Sequence, residues 1–122
     1  MKSKRLVTDY LHDILEYAEA AESFVAGCSS FEEFRGDRRT VWATVRALEV
    51  IGEAARQIPK AIQEKYPAVP WRGMTGMRDK VIHFYFGVDV AVVWRTVRED
   101  LPPMRAAVAH MLAEMEKSET DA

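Results

Sequence analysis

The chain has 122 residues, of which 48% are hydrophobic, so it is long enough to bury the core of one domain without cross-links. Its formal net charge of -2 excludes a wide basic surface that wraps nucleic acid, because binding of that kind neutralises many phosphates. A small, locally basic site is still compatible with this charge.

The first third of the chain has the apolar spacing of an amphipathic helix. Apolar residues recur at helical spacing from Leu6 to Val25, and Gly27 is expected to end this helix. Ser30, with Glu33 three residues later, has the pattern of a capping box, which predicts a short helical turn.

A second long helix is predicted over residues 38–57, with Asp37 as its N-cap. Pro59 suits the first turn of a short helix that follows. The next segment, residues 67–76, contains two prolines and two glycines, so it is predicted to be a connector. Trp71 is expected to hold this connector on the rest of the molecule.

Helical structure is also predicted for the second half of the chain. A helical turn or more is expected from Met77 to Phe86, ended by Gly87. Asp89 is a good N-cap for the next helix, whose apolar face extends to Leu101.

Pro102 and Pro103 are expected to force a corner, after which a last helix begins near Met104. The polar tail, residues 116–122, is expected to fray. No strand pattern competes with this interpretation. The sequence therefore predicts a single all-α domain over residues 1–122, an antiparallel up-and-down four-helix bundle with one or two extra short helices.

The second long helix carries a charged face. Its members at helical spacing are Trp42, Arg46, Glu49, Glu53 and Arg56. One interpretation is a solvated stripe in which residues three apart, Arg46 with Glu49 or Glu53 with Arg56, form ion pairs. The alternative is that one of the two glutamates is buried or faces a partner.

The cysteine and histidine residues of the sequence limit which disulfides and metal sites are possible. The single cysteine, Cys28, cannot form an intrachain disulfide, and His12, His83 and His110 lie on different predicted helices without ligand spacing. We therefore expect no metal site and no cofactor. The start lacks a signal peptide and no apolar run approaches the ~20 residues that span a bilayer, so we expect a soluble, cytoplasmic protein without membrane contact.

Arg78 to Tyr85 is the densest grouping of chemically capable side chains. Arginine is a permanent cation that fits phosphate, histidine moves protons near neutral pH, and a tyrosine hydroxyl donates, accepts or is modified. Together these side chains suit phosphodiester chemistry. His83 lies between Ile82 and Phe84, so an ordinary structural histidine is the alternative.

Helix geometry limits how these side chains can meet. On one straight helix Arg78 and Tyr85 share a face, whereas His83 lies about 140° from Arg78. Three arrangements could bring them together. The helix unwinds before Gly87, the long arginine wraps round it, or a second copy of the motif completes the site across the axis of a symmetric dimer.

The pattern Arg78-x-x-x-x-His83-x-Tyr85 resembles the signature of HepT-like toxins in the HEPN superfamily of helical ribonucleases. Ala47 to Ala55 is similar to that family's second-helix signature, and the segments that flank the motif are similar to its later half. The resemblance spans nearly the whole chain.

This resemblance implies a homodimer in which two Arg-His motifs face one cleft and cut RNA without a metal ion. It also implies the toxin of a two-gene, type VII-like toxin–antitoxin pair. The antitoxin of such pairs is a nucleotidyltransferase of the MntA type, which silences the toxin by adding AMP to the motif tyrosine. The position implied for this AMPylation is Tyr85.

Carried over to this chain, the catalytic residues would be Arg78 and His83, with Asp79 and Tyr85 supporting them. His83 would move a proton to or from a ribose or leaving oxygen, and Arg78 would stabilise the charge on phosphorus. Asp79 could orient Arg78 or His83, or could simply favour the start of a helix. AMP on Tyr85 would place a phosphate beside Arg78 and block RNA.

Two other interpretations keep the same fold. In the first, the chain is a noncatalytic helical module that binds its nucleotidyltransferase partner or a nucleotide. In the second, it is a structural dimer in which Arg78 only pairs with a carboxylate such as Glu49, Glu53 or Asp79.

Overall fold

The computed structural model describes residues 5–83 and 87–121, excluding the side chains of His83 and of residues 119–121. The elements in chain order are α1 Val7–Ala26, α2 Phe31–Gly36, α3 Arg38–Arg56, α4 Lys60–Gln63, α5 Trp71–Thr75, α6 Met77–Val81, β1 Ile82–His83, β2 Gly87–Val88, α7 Val90–Arg95, a π-helical turn Thr96–Asp100, and α8 Leu101–Asp121. The predicted all-α class is confirmed, and the only strands among the described residues are the two-residue pair β1 and β2.

Polar side chains start three of the helices at the predicted residues. Ser30 Oγ accepts from the Glu33 N–H at 3.2 Å, and Asp37 accepts from the Thr40 N–H at 3.1 Å. Asp89 caps α7 in the same way through the Val92 N–H. These bonds satisfy backbone donors that have no partner inside the helix, so the predicted starts are confirmed.

The core lies where α1 packs on both α3 and α8. The largest fully buried side chains come from every part of the chain: Phe34, Leu11, Ile14, Leu48, Ile51, Ile58, Met74, Leu101, Met104, Met111, Val45 and Val81. Trp71 is also buried and donates its Nε1–H to the Tyr66 carbonyl at 3.1 Å. The connector is thus held as predicted. None of the helices within the described ranges is long and apolar enough to cross a membrane.

A glycine sets the distance between α3 and α5. A Cβ added at Gly52 would lie 3.1 Å from the Met74 carbonyl oxygen, which is closer than such atoms normally pack. The neighbouring Thr75 carbonyl is held from the same side, because Arg56 Nη2 donates to it at 3.2 Å. Gly52 therefore lets the backbone that leads into α6 lie directly on α3.

Gly52→Ala is expected to lower the free energy of unfolding by about 1 kcal/mol or more, because the added methyl group overpacks this contact. Gly36→Ala is the matched control, since nothing lies within 4 Å of a Cβ there and helix propensity alone should give a gain of up to about 1 kcal/mol. Urea unfolding measures both. Equal changes in the free energy of unfolding at the two glycines would show that α3 and α5 can move apart without loss of stability.

Asp37 couples stability to pH. Hydrogen bonds from the Thr40 hydroxyl and backbone N–H hold the pKa of the Asp37 carboxyl below its usual range. The folded form therefore gains stability above the unfolded pKa, which is about 3.9, and loses it as pH falls through the lower folded pKa. Asp37→Asn retains a capping side chain without this titration. The variant should lose less melting temperature than the wild type between pH 7 and pH 3.

The prolines after α7 do not form a corner, which corrects the sequence prediction. The backbone has right-handed helical dihedral angles at Arg95, Thr96 and Leu101. The Leu101 N–H bonds to the Thr96 carbonyl, a π-type hydrogen bond just before Pro102 and Pro103. Both prolines then lie in the first turn of α8, where a missing N–H is tolerated.

The described part of the tail is helical, because α8 continues to Asp121, and the predicted fraying of residues 116–122 stays a prediction. Glu116 accepts a hydrogen bond from His12 Nε2 of α1 at 3.2 Å. This contact ties the last turns of α8 to the N-terminal helix. Glutamate and lysine also form helices readily, so a polar composition alone does not end one.

Helix α6 ends five residues earlier than predicted. The predicted helix extended to Phe86, whereas Ile82 has extended dihedral angles and pairs with Val88. The run that follows Lys80 consists of β-branched and aromatic residues and a histidine, most of which favour extended backbone. Gly87 begins β2 with a φ of +81°, a conformation that favours glycine.

Candidate functional site

The short helix α6 presents consecutive charged side chains to different neighbours. Arg78 Nε lies 3.5 Å from Glu49 Oε2 of α3. Lys80 Nζ donates to Asp100 Oδ2 of the π-helical turn at 2.9 Å. Because residues two apart project in nearly opposite directions from a helix, α6 joins these two elements through its two basic residues.

The Arg78–Glu49 pair leaves the arginine accessible. The Arg78 side chain is 58% exposed, whereas the Glu49 side chain is only 22% exposed. The carboxylate is thus largely covered, while much of the guanidinium group still faces solvent. An arginine held on one side in this way can receive a phosphate on the other.

This pairing corrects the prediction for the charged face of α3. The predicted pairs joined residues three apart, but Arg46 lies 3.8 Å from Glu53 and Glu49 contacts Arg78. Sequence reasoning named Glu49 as a possible partner of Arg46 and as one of two glutamates that could be buried or face a partner. It also named Glu49 as one of three carboxylates that a structural Arg78 could contact. The signal that was missed is Gly52, because a glycine inside a helix marks a close contact and here it brings the α6 segment onto α3.

The end of α6 changes the geometry predicted for His83. The His83 backbone lies in β1 and pairs with Gly87, so this residue does not continue the helix that carries Arg78. The angle of about 140° between them on a straight helix therefore does not apply. Of the three arrangements considered, the backbone shows the helix ending before Gly87, while the wrapped arginine and the site shared across a dimer stay predictions. The His83 side chain and Tyr85 lie outside the described residues.

Asp79 lies in the first turn of α6 with its side chain exposed. It forms no hydrogen bond or ion pair with any other side chain that the structure describes, and Arg78 contacts Glu49 instead. Its position near the N-terminus of a helix is compatible with the predicted helix-start role. The other predicted role, orienting Arg78 or His83, stays a prediction.

The sequence of α5 and α6 is rich in basic residues despite the net negative charge of the chain. Arg72, Arg78 and Lys80 are exposed within ten residues that contain one acidic residue, Asp79. Arg56 lies against the same segment through its bond to Thr75. Two of these cations are partly compensated, because Arg78 pairs with Glu49 and Lys80 pairs with Asp100 on neighbouring elements.

The remaining titratable candidates lie elsewhere. Within residues 5–83 and 87–121, no group of three or more His, Cys, Asp and Glu side chains could hold a metal ion. His12 and His110 each contact a glutamate on α8, at 3.2 and 3.6 Å. Partial burial raises the pKa of the Cys28 thiol, with smaller contributions from Glu33 and Asp37, which favours the unreactive protonated form.

Comparison with known proteins places this geometry in a family. Residues 14–111 match the family model described as "Ribonuclease HepT-like". The chain belongs to the HepT-like ribonuclease family. The match includes α3, the connector and the whole Arg78–Tyr85 segment, so the resemblance first inferred from the motif extends through most of the fold.

Individual members of the HepT-like family align over most of their length. The chain is 50% identical to a "Probable ribonuclease HepT" of Thermococcus cleftensis over 102 residues, 84% of this chain and 92% of the relative. It is 42% identical to a "Putative RNase" of Methanocaldococcus jannaschii over 113 residues, 93% of each chain. A "Putative RNase" of Caldanaerobacter subterraneus subsp. tengcongensis is 43% identical over 103 residues, 84% of this chain and 91% of the relative. No solved structure matches the chain.

Proposed function

We propose that this chain is an endoribonuclease that cleaves RNA without a metal ion, using Arg78 and His83. The observation that carries the proposal is an exposed arginine on α6, five residues before His83, in a chain of the HepT-like ribonuclease family. The names of the relatives support the same reaction.

In the proposed mechanism, the ribose 2′-oxygen attacks the adjacent phosphorus and the bond from phosphorus to the 5′-oxygen breaks. The 2′-hydroxyl loses a proton and the leaving 5′-oxygen gains one, and His83 carries one of these transfers. Arg78 stabilises the extra negative charge on the phosphoryl oxygens in the transition state. The products are a 2′,3′-cyclic phosphate and a 5′-hydroxyl end.

The test is to incubate the purified chain with end-labelled RNA in the presence of EDTA. Cleavage that leaves cyclic phosphate ends is the expected result, and these ends are recognised because acid converts them to monophosphates. RNA that stays intact, with or without added Mg²⁺, would contradict the proposal. Intact RNA together with tight binding of a cognate nucleotidyltransferase would favour the noncatalytic module.

We further propose that the chain is the toxin of a toxin–antitoxin pair, with a nucleotidyltransferase of the MntA type as antitoxin. Support comes from the motif alone, in which Tyr85 follows His83 by two residues. AMP on Tyr85 would add a negative phosphate near Arg78 and compete with the phosphate of RNA. Co-expression with the adjacent gene, followed by intact mass and peptide mapping, should find one AMP on Tyr85. An unmodified Tyr85 in a silenced toxin would contradict the proposed silencing by AMP.

The proposed active form is a homodimer of four-helix bundles, as the family resemblance implies. The end of α6 at Val81 removes the geometric need for a partner, so the dimer has to be tested by itself. Light scattering measures the mass of the assembly and so shows whether it is a dimer. Mixing Arg78→Ala with His83→Ala chains tests whether the two chains share one active site. Regained cleavage means that the two residues come from different chains. A dimer without regained cleavage means that one chain supplies both.

A further inference from the structure

One face of α3 carries an exposed tryptophan between two arginines. Trp42 is 52% exposed, and its ring makes no aromatic or cation–π contact with any other residue that the structure describes. At about 100° per residue, Arg38, Trp42 and Arg46 project within about 80° of one another, so the three side chains share this face. A single exposed apolar side chain is common and indicates nothing by itself. The charges around Trp42 are what distinguish it.

The side chains next to Trp42 are cationic. Residues 38–46 contain three arginines and no acidic residue, and the preceding Asp37 is engaged by the Thr40 hydroxyl at 2.7 Å. Arg38 is exposed and forms no ion pair within the described parts of the chain. Arg46 lies 3.8 Å from Glu53, and both of these side chains are more than half exposed. Exposed pairs of this length contribute little, so Arg46 can turn to another anion.

The same face of α3 leads to the candidate active site. Glu49, which pairs with Arg78, lies seven residues after Trp42. This spacing is about two helical turns, or about 10.5 Å along α3, and it keeps Glu49 and Trp42 on one side of the helix. A stacked nucleic-acid strand advances about 3.4 Å per nucleotide, so about three nucleotides cover the distance. A strand with a phosphate at Arg78 therefore brings a nearby base to Trp42.

We propose that Trp42 is a stacking subsite for one base of single-stranded RNA, with Arg38 and Arg46 binding the flanking phosphates. The proposal rests on the proposed RNA cleavage and adds the form of the substrate, because a base must leave a duplex to lie on an aromatic ring. Proteins that bind single strands commonly combine cationic side chains with such rings. A second copy of the chain suits this face less well, since a two-fold axis at Trp42 would bring the arginines of both copies together.

The first test measures binding of strands that the chain cannot cleave. The probes are a 2′-O-methyl oligouridylate of about twelve nucleotides and an abasic strand of the same length, both followed by fluorescence anisotropy. Trp42→Ala should bind the uridylate about fivefold or more weakly than the wild type, because one stacked base is lost. It should bind the abasic strand within about twofold of the wild type, since only a base stacks on the ring. Equal weakening for both strands, or no weakening, would overturn the proposal.

Two further variants show that the effect belongs to the aromatic ring. Trp42→Phe retains a ring and should keep most of the preference for the uridylate over the abasic strand. Leu6→Ala removes another exposed apolar side chain, 61% exposed at the N-cap of α1, and should bind both strands as the wild type does. If Leu6→Ala weakens uridylate binding as much as Trp42→Ala, the effect is not stacking on Trp42 and the proposal is wrong.

A second test locates the stacked base and separates this proposal from the proposed cleavage. In a strand with one central ribonucleotide and 2′-O-methyl groups elsewhere, cleavage can occur at one position. A single abasic site about three nucleotides from it should slow cleavage by the wild type but not slow Trp42→Ala further. An intact strand, with uridylate binding that still depends on Trp42, would contradict the cleavage and leave the subsite supported. Cleavage that no abasic site alters differently in the two proteins would overturn the subsite alone.

Light scattering tests whether a second copy of the chain covers this face instead. Under the proposal, Trp42→Ala has the same mass in solution as the wild type and loses the preference for bases. A change from dimer to monomer in Trp42→Ala, with the preference for bases unchanged, would show that the face is an interface between copies. That result would overturn the proposal.

Discussion

His83→Ala is expected to lower the rate of RNA cleavage by about 10²–10⁴-fold, the usual effect of losing a general acid or base. The fold should survive this change, because β1 pairs with β2 through backbone atoms and alanine retains them. Single-turnover cleavage of end-labelled RNA in EDTA measures the rate. Thermal unfolding of the same samples shows whether the variant is folded.

Two histidines provide matched controls for this prediction. His12 and His110 lie on α1 and α8, exposed and in contact with Glu116 and Glu114. His12→Ala and His110→Ala should each cleave RNA within about twofold of the wild-type rate, since surface substitutions away from a site change little. If His83→Ala cleaves as fast as these controls, the histidine is structural and the catalytic role assigned to it is wrong.

Local chemistry allowed much of the fold to be predicted from the sequence. The starts of α2, α3 and α7 follow from the side chains of Ser30, Asp37 and Asp89, which bond to backbone groups three residues away. The helix end and the corner that were predicted wrongly depend on contacts between residues farther apart in the sequence. α6 ends where β1 finds a partner strand, and Pro102 and Pro103 are accommodated by a π-helical turn that no short motif announces.

For the candidate site, too, local features could be predicted and contacts between distant residues could not. The motif itself could be recognised, because Arg78 and His83 are close in sequence and similar to a known signature. The contact of Arg78 with Glu49 could not be chosen among the available carboxylates, because it depends on how α5 and α6 pack on α3. Helix-surface rules consider residues three or four apart, and they therefore paired Glu49 with Arg46.

Arg78→Ala should lower RNA cleavage by about 10²–10³-fold, comparable to removing one donor that stabilises a transition-state oxyanion. The effect on stability should be small, within about 1 kcal/mol, because the Arg78 side chain is 58% exposed and its pair with Glu49 is long. Arg78→Lys retains the charge without the planar fork of donors and should recover only part of the rate. Cleavage rates and urea unfolding of the same preparations separate the two effects.

Arg72→Ala is the matched control, since it removes an exposed arginine from the adjacent helix α5 and should change the rate by less than about threefold. Glu49→Gln tests the role of the carboxylate that pairs with Arg78. If Glu49 only positions Arg78, this variant should cleave more slowly than wild type but much faster than Arg78→Ala. The structural interpretation of Arg78 makes the opposite prediction, a loss of stability in Arg78→Ala with no loss of cleavage. An arginine that acts on phosphate should instead lose cleavage while the fold stays intact.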